Sequence, residues 1–298
     1  MMTVDELYKD FVEQLKTIYD EREANNIADW VFESIAGGTR LDRISNKQQA
    51  ISSSTIQQLN NALQQLLQHK PVQYVLGDAW FYKMKLKVNE HVLIPRPETE
   101  ELVEWVVEEI RNKKSEISKK VAKLTPHNSQ LTLLDIGTGS GCIAIAIKKE
   151  LPDVEMSAVE ISEDALSLAK ENAAGQNVKI NFLQLDFLDE GSWPSLGSFN
   201  ILISNPPYIP GNEKIKLAKN VVDHEPHLAL FVNDDNPLIF YQKIADFADK
   251  HLKEEGKIFV EVHEDHTSEV QQIFKENDFA TEIKKDIYGR DRMIKSSR

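Results

Sequence analysis

Apolar residues recur at helical spacing where the chain opens. Leu7, Phe11, Leu15 and Ile18 form one stripe, and Ile27, Trp30, Val31 and Ile35 form a second that runs into Gly37-Gly38. Side chains three and four apart share a helix face, so these stripes predict two amphipathic helices with the glycine pair as a stop. A third helix is predicted from about Ser54 through Ile56, Leu59, Leu63, Leu66 and Leu67, ending near Lys70 because Pro71 follows. The period then changes. From Trp80 to Val92 short alternating runs such as Phe81-Tyr82 and Leu86, Val88 predict a hairpin. Pro97 starts another helix, with Leu102, Val103, Val106 and Ile110 on one face and Glu98, Glu100 and Glu101 at the positive end of its dipole. The stretch from Arg111 to Gln130, rich in lysine, serine and asparagine, reads as a solvated helix end and a loop.

Beyond Leu131 the pattern alternates. Strand-like runs lie at Leu131–Ile136, Val154–Val159, Ile180–Leu185, Ile201–Ser204 and Lys257–Val262. Helix-like runs lie between them, at Cys142–Glu150, Glu163–Asn172, Leu238–Leu252 and Glu269–Asn277. Such alternation implies a mainly parallel sheet covered by helices on both faces. The predicted organisation is a helical domain over 1–76, a β-hairpin connector over 77–97 and an α/β domain over 98–298.

Charge narrows the function. With 35 Lys and Arg against 48 Asp and Glu, the net charge is -13, which disfavours undirected binding to nucleic-acid backbones. The first twenty residues mix Asp5, Glu6, Lys9, Asp10 and Glu13 with apolar positions, which suits neither a signal peptide nor a membrane span, and the location is read as cytoplasmic. Cys142 is the only cysteine, so neither an intrachain disulfide nor a multi-cysteine zinc site can form.

Candidate chemistry sits at the ends of four strands. Leu133-Leu134-Asp135-Ile136 runs into Gly137-Thr138-Gly139-Ser140-Gly141, where glycines let the backbone approach a ligand closely. Glu160 ends the next strand, where an acid can accept hydrogen bonds from two ribose hydroxyls. A tight turn is the bland alternative. The G-x-G-x-G spacing differs from that of pyrophosphate-binding loops, and Asp135 suits a cationic amino-acid moiety better than a diphosphate. S-adenosylmethionine carries that moiety. Asp186-Phe187 supplies an acceptor and a ring for adenine, or alternatively a helix cap and a core phenylalanine.

The fourth strand, Ile201–Ser204, delivers Asn205-Pro206-Pro207-Tyr208. Two prolines fix two backbone torsions and donate no amide hydrogens, so the loop is stiff and rich in acceptors. The Asn205 side-chain oxygen and the Pro206 carbonyl can both accept from one NH2 group. An amide or exocyclic amino nitrogen is a poor nucleophile because its lone pair is delocalised. Gripping both its hydrogens favours a pyramidal nitrogen whose lone pair points at an activated methyl, and Tyr208 can lie against the flat substrate.

These residues resemble the release-factor glutamine methyltransferases of the PrmC/HemK family. The resemblance runs through Pro71-Val72-Gln73-Tyr74-Val75-Leu76-Gly77, Leu93-Ile94-Pro95-Arg96-Pro97-Glu98-Thr99-Glu100, the Gly137–Gly141 loop, Asn205–Tyr208 with Ile209, and Glu225-Pro226-His227-Leu228-Ala229-Leu230. It implies a seven-stranded, Rossmann-like class I S-adenosylmethionine-dependent methyltransferase domain behind a helical substrate-docking domain. It also implies methylation of the side-chain amide of the Gln in the Gly-Gly-Gln motif of class I peptide-chain release factors. On that resemblance Gly137, Thr138, Gly139, Ser140, Gly141 and Glu160 hold the cofactor, Phe187 flanks its adenine, and Asn205 to Tyr208 hold the glutamine. Glu160 is one methylene longer than the Asp usual in the family, and the chain stops soon after Asp286-Ile287-Tyr288-Gly289-Arg290-Asp291-Arg292, which predicts a short last strand.

Other residues carry two readings each. Arg96 either lines the mouth of the site or pairs with a neighbouring acid. Asp223-His224-Glu225-Pro226-His227 invites a metal, but Pro226 breaks the helix that would align the histidines and methyl transfer needs none. Cys142 is read as a small buried hydrophobe rather than a reactive thiol. The competing functions are an adenine amino methyltransferase acting on DNA or RNA, and a non-catalytic adenosine-binding protein.

Overall fold

In a computed structural model, residues 3–47, 50–120 and 130–298 are described. The chain forms two compact units, one running to Asp78 and including Leu217–His224, the other made of Ala79–Lys216 and Glu225–Arg298. The first contains α1 (Val4–Leu15), α2 (Glu21–Ala36), α3 (Arg40–Ser45), α4 (Ser53–Leu67) and α5 (Val72–Leu76). Polar caps set the starts: Thr3 forms a capping box with Glu6, Asp20 caps α2 and Ser52 caps α4. The buried stripe joins Leu7, Phe11 and Leu15 to Ile27 and Val31 and to Leu59, Leu63 and Leu66. Two expectations need correction. Asp20 opens a new helix, so α1 stops at Leu15 and excludes Ile18. Trp30 lies off the buried face of α2, where Ala24, Ile27, Ala28, Val31 and Phe32 pack.

The second unit starts with β1 (Asp78–Phe81) and β2 (Met84–Lys87), a hairpin whose turn residues Tyr82 and Lys83 both take positive φ. Phe81, Met84 and Leu86 join the core of α6 (Pro97–Lys120), so the hairpin is part of this unit's interior. The helix continues to Lys120, and the expected loop beyond it falls largely on 121–129, outside the described residues. There follow β3 (Thr132–Ile136), α7 (Cys142–Glu150), β4 (Glu155–Glu160), α8 (Glu163–Gly175), β5 (Asn181–Gln184) and β6 (Phe199–Ser204). After the two-residue β7 (Ile209–Pro210) the chain passes through α9 (Lys219–Val222), which belongs to the first unit, and returns to the second with α10 (His227–Leu230) and β8 (Phe231–Val232). The chain closes with α11 (Ile239–His251), β9 (Leu252–Glu261), α12 (Thr267–Glu276), β10 (Ala280–Lys285) and β11 (Asp291–Ser297).

Seven strands make one sheet in the order β10-β11-β9-β6-β3-β4-β5. The five from β9 to β5 are parallel, and β11 runs against them, paired antiparallel with β9 on one side and with the edge strand β10 on the other. One face packs on α6 and α7, the other on α11 and α12 with Trp193 and Phe187. The last strand is seven residues long, paired on both sides, and buries Met293, Ile294 and Ser296, so the short strand expected from the chain's end does not occur. The order reverses at β3, whose neighbours are β4 and β6. Ligands of open α/β sheets bind outside the carboxyl ends of the strands at such a reversal. Ile136 pairs with Val159 on one side and Ser204 on the other, so the loops after β3, β4 and β6 leave the sheet at one level. Ser204 Oγ donates to the Ile136 carbonyl at 2.7 Å and fastens two of them together.

Candidate active site

The loop after β3 turns on Gly137, Gly139 and Gly141, with φ of 73°, 53° and 82°. Backbone at positive φ strains any residue with a Cβ. Their surroundings separate their roles. A Cβ on Gly137 or Gly139 would meet nothing within 4 Å, and both line a cavity. On Gly141 it would meet Ile145 Cδ1 at 3.1 Å and the Ala169 Cβ at 3.2 Å, so this glycine serves the packing of α7 against α8 and does not line the cavity. Thr138 and Ser140 do line it. Buried Asn172 on α8 donates to the Ser140 and Lys87 carbonyls at 3.0 Å each, holding the loop from behind.

Asp135 is fully buried and outside the cavity lining, so the structure does not bring it to the face where a cationic ligand was expected. Its Oδ2 accepts from Thr138 Oγ1 at 2.6 Å, bracing the loop from beneath, and burial pushes its carboxyl up to about 7. The reason is periodicity: Asp135 is an inward position of a strand covered on both faces. Glu160 does line the cavity. Its Oε2 accepts the Gly139 amide at 2.9 Å, and its Oε1 accepts those of Ile161 and Ser162 at 3.0 Å each. Asp186 and Phe187 line the same space; Asp186 Oδ1 also accepts the Leu188 amide, and the Phe187 ring packs on Trp193 and Phe247. The core reading of Phe187 holds alongside its cavity position, whereas Asp186 caps no helix: Asp189 caps the turn that follows, and Asp186 closes a local turn onto Leu188.

From β6 the chain enters Asn205-Pro206-Pro207-Tyr208. Asn205 and Pro207 face the cavity; Pro206 and Tyr208 do not line it. The Asn205 Nδ2 donates to Thr99 Oγ1 at 3.0 Å, and Thr99 Oγ1 donates to Glu261 Oε2 at 2.7 Å. Tyr208 turns its hydroxyl the other way, to Glu261 Oε1 at 3.3 Å, with burial and the Glu261 charge raising its pKa. The expected stacking of Tyr208 on a substrate is therefore not the arrangement seen. No described hydrogen bond engages Asn205 Oδ1 or the Pro206 carbonyl. The cavity joining this loop to the glycine loop measures about 380 Å³, within the range of small-molecule sites.

Two buried acids give the site a pH signature. Burial pushes both Asp135 and Glu261 up to about 7, from the ordinary carboxyl values of 3.8 and 4.5. Each therefore holds a proton in the folded chain that it has lost in the unfolded one between those values. Unfolding releases protons across that window, so the unfolding free energy falls as pH rises through it, by about 1.4 kcal/mol per pKa unit raised. Urea unfolding of the cofactor-free protein at pH 5 and pH 7 checks this; equal or greater stability at pH 7 would contradict it.

Residues 6–77 match the PrmC N-terminal domain and residues 118–229 the methyltransferase small domain. A release factor glutamine methyltransferase of Flavobacterium psychrophilum is 39% identical over 286 residues, covering 96% of this chain and 95% of its own length. That of Streptococcus pneumoniae is 38% identical, covering 98% of both chains. The chain belongs to the release factor glutamine methyltransferase family. Its fold is shared with the hMettl16 catalytic domain solved with the MAT2A 3'UTR hairpin 6, at a TM-score of 0.52, 13% identity, and 82% and 81% coverage of the two chains.

Membership in that family gives its most distinctive sequence run a physical reading. Arg96 lines the cavity and also pairs with Glu225, Nη2 to Oε1 at 2.6 Å, so both readings of this arginine hold. Glu225 Oε2 accepts the Ile94 amide at 3.2 Å, which ties the Ile94-Pro95-Arg96-Pro97 run to Glu225-Pro226-His227-Leu228 on the rim. Glu225 is thus committed to structure, and His224 Nε2 bonds the Gln68 carbonyl at 2.9 Å. Among the described residues no cluster of three metal-ligating side chains occurs, and no helix is long and apolar enough to cross a membrane. Cys142 lines the cavity with its thiol pushed up to about 12 by burial, so it stays protonated. Sequence reasoning missed Ile161, Leu185, Thr99 and Glu261. Glu261 had a signal: it is an acid inside the apolar run Ile258–Val262 of a central strand.

Proposed function

We propose that this protein transfers a methyl group from S-adenosylmethionine to the side-chain amide of the Gln in the Gly-Gly-Gln motif of class I release factors, in the cytoplasm, as a step serving translation termination. The observation that carries the reading is the placement of Asn205, with its Oδ1 unengaged, across one 380 Å³ cavity from the glycine loop and Glu160.

The residues present fit that cofactor. Open space above Gly137 and Gly139 admits a ligand against the backbone. Glu160 supplies an acceptor for ribose hydroxyls and Asp186 one for the adenine amine, with Ile161, Leu185 and Phe187 as apolar walls. Among the described residues Arg96 is the only arginine or lysine lining the cavity, and it is already paired with Glu225, so the donor set suits a neutral nucleoside better than a diphosphate. When bound, S-adenosylmethionine supplies a methyl on a positively charged sulfur, an activated leaving group that requires no strong base. Asn205 Oδ1 accepts one amide hydrogen of the glutamine at the cavity wall, and the Pro206 carbonyl, beside that wall and in no described hydrogen bond, accepts the other. That grip turns the nitrogen lone pair toward the methyl; the N–C bond would form as the sulfur–methyl bond breaks with its electron pair left on sulfur, and one amide proton would pass to water. Orientation of this kind contributes on the order of 7–11 kcal/mol in favourable cases. The helical unit docks the release factor, a role supported by its match to the PrmC N-terminal domain and by the exposed Trp30, Leu41 and Ile44.

Mass spectrometry of a class I release factor incubated with this protein and cofactor tests the reading. One methyl on the Gly-Gly-Gln glutamine is expected. An unmodified glutamine, or label passing to nucleic acid instead, would overturn it.

A further inference from the structure

An asparagine amide is nearly symmetric in shape, and only its hydrogen-bond partners decide which end faces a ligand. Asn205 must present oxygen to the cavity if it is to accept from a substrate NH2; turned over, it would set donor against donor. The prolines that follow it fix the backbone and leave this side-chain rotation free.

The direction of the amide follows from a chain of hydrogen bonds that starts at Glu261. This residue is 2% exposed at the end of β9; burial pushes its carboxyl up to about 7 against the pull of Thr99, Arg292 and Tyr208, so above that pH, where the chain of hydrogen bonds is set and the variants below are assayed, it is ionised. An ionised carboxylate only accepts, so Thr99 must spend its single hydroxyl proton on Glu261 Oε2, at 2.7 Å. Thr99 Oγ1 is left with lone pairs alone toward Asn205. At 3.0 Å from it, Asn205 must donate, placing Nδ2 on Thr99 and Oδ1 away from it. The same carboxylate takes the Tyr208 hydroxyl on its other oxygen, at 3.3 Å, so one buried acid holds both ends of the Asn205–Tyr208 loop.

Resting on the function proposed above, we infer that Thr99, backed by Glu261, is a positioning residue for methyl transfer, which captures the Asn205 NH2 and fixes its oxygen toward the glutamine. Thr99 lies within the Pro95-Arg96-Pro97-Glu98-Thr99-Glu100 run, and this gives that run a part in the chemistry as well as in the rim.

Thr99→Val removes the hydroxyl and keeps the shape. Its kcat on a release factor is expected to fall about 10- to 100-fold, the scale of a misplaced reacting group, with KM and cofactor affinity within about twofold of the parent. Thr99→Ser keeps the hydroxyl and restores most of the rate. A bland packing role would instead leave kcat intact in the folded valine variant and lower only its unfolding midpoint. Should the valine variant not fold, Thr99→Ala is assayed in its place with the same expected loss. A hydroxyl-free variant with the parent's kcat, a loss confined to KM, or a loss shared by the serine variant would overturn the inference. Failure of the unsubstituted protein to methylate the glutamine would instead overturn the function on which it rests.

Discussion

Asn205→Ala lowers kcat on a release factor by about 100- to 1,000-fold, the effect of deleting one preorganised partner of a reacting group, while the cofactor dissociation constant stays within about twofold. The separation of the two constants follows from the geometry. Asn205 reaches the cavity from the end of β6, whereas the glycine loop and Glu160 reach it from β3 and β4. Removing the side chain takes away the oxygen that grips the substrate amide and the partner that Thr99 holds, but no bond within the glycine loop. The Thr99 hydroxyl still donates to Glu261, so no buried charge is left without a donor and folding survives. Single-turnover rates at saturating cofactor, with cofactor binding measured by calorimetry, provide the check. A variant that turns over at the parent's rate would remove Asn205 from the reaction.

The elements that place these residues were legible because their periodicity is strong. The α7 span, Cys142–Glu150, matches the expectation at both ends, and the apolar runs before Gly137 and Asn205 proved to be adjacent central strands. What was not legible has two causes. At the sheet edge the pattern fails: Thr281-Glu282-Ile283-Lys284-Lys285 lacks an apolar alternation because an edge strand facing water is protected by charge, so β10 passed unnoticed. Within the site the pattern names residues but not their directions. Asp135 and Gly141 belong to the glycine-loop run, yet the first braces the loop from below and the second lets two helices meet. Tyr208 follows the two prolines as expected, yet its hydroxyl is claimed by Glu261, 53 residues further on. Contacts between residues distant in the chain decide these directions, and no local spacing encodes them.

Glu160→Ala tests the other half of the cavity and is expected to raise the cofactor dissociation constant about 100-fold or more. Hydrogen bonds to a charged acceptor contribute about 1.5–3 kcal/mol each, so two ribose hydroxyls on one carboxylate account for at least that factor. The same carboxylate accepts the amides of Gly139, Ile161 and Ser162, so its loss also frees the loop that the ligand must lie against. Once cofactor is saturating, kcat should recover to within about threefold, because Asn205 and Thr99 are untouched. Glu160→Asp separates the two contributions. It restores the residue usual in the family but shortens the reach by one methylene, from a backbone position already set by β4 pairing with β3 and β5. Its affinity should fall by less than about tenfold, since a carboxylate remains to meet the ribose at longer range. An unchanged dissociation constant in the alanine variant would show that the acid at the end of β4 serves the loop alone, and that the ribose is held elsewhere.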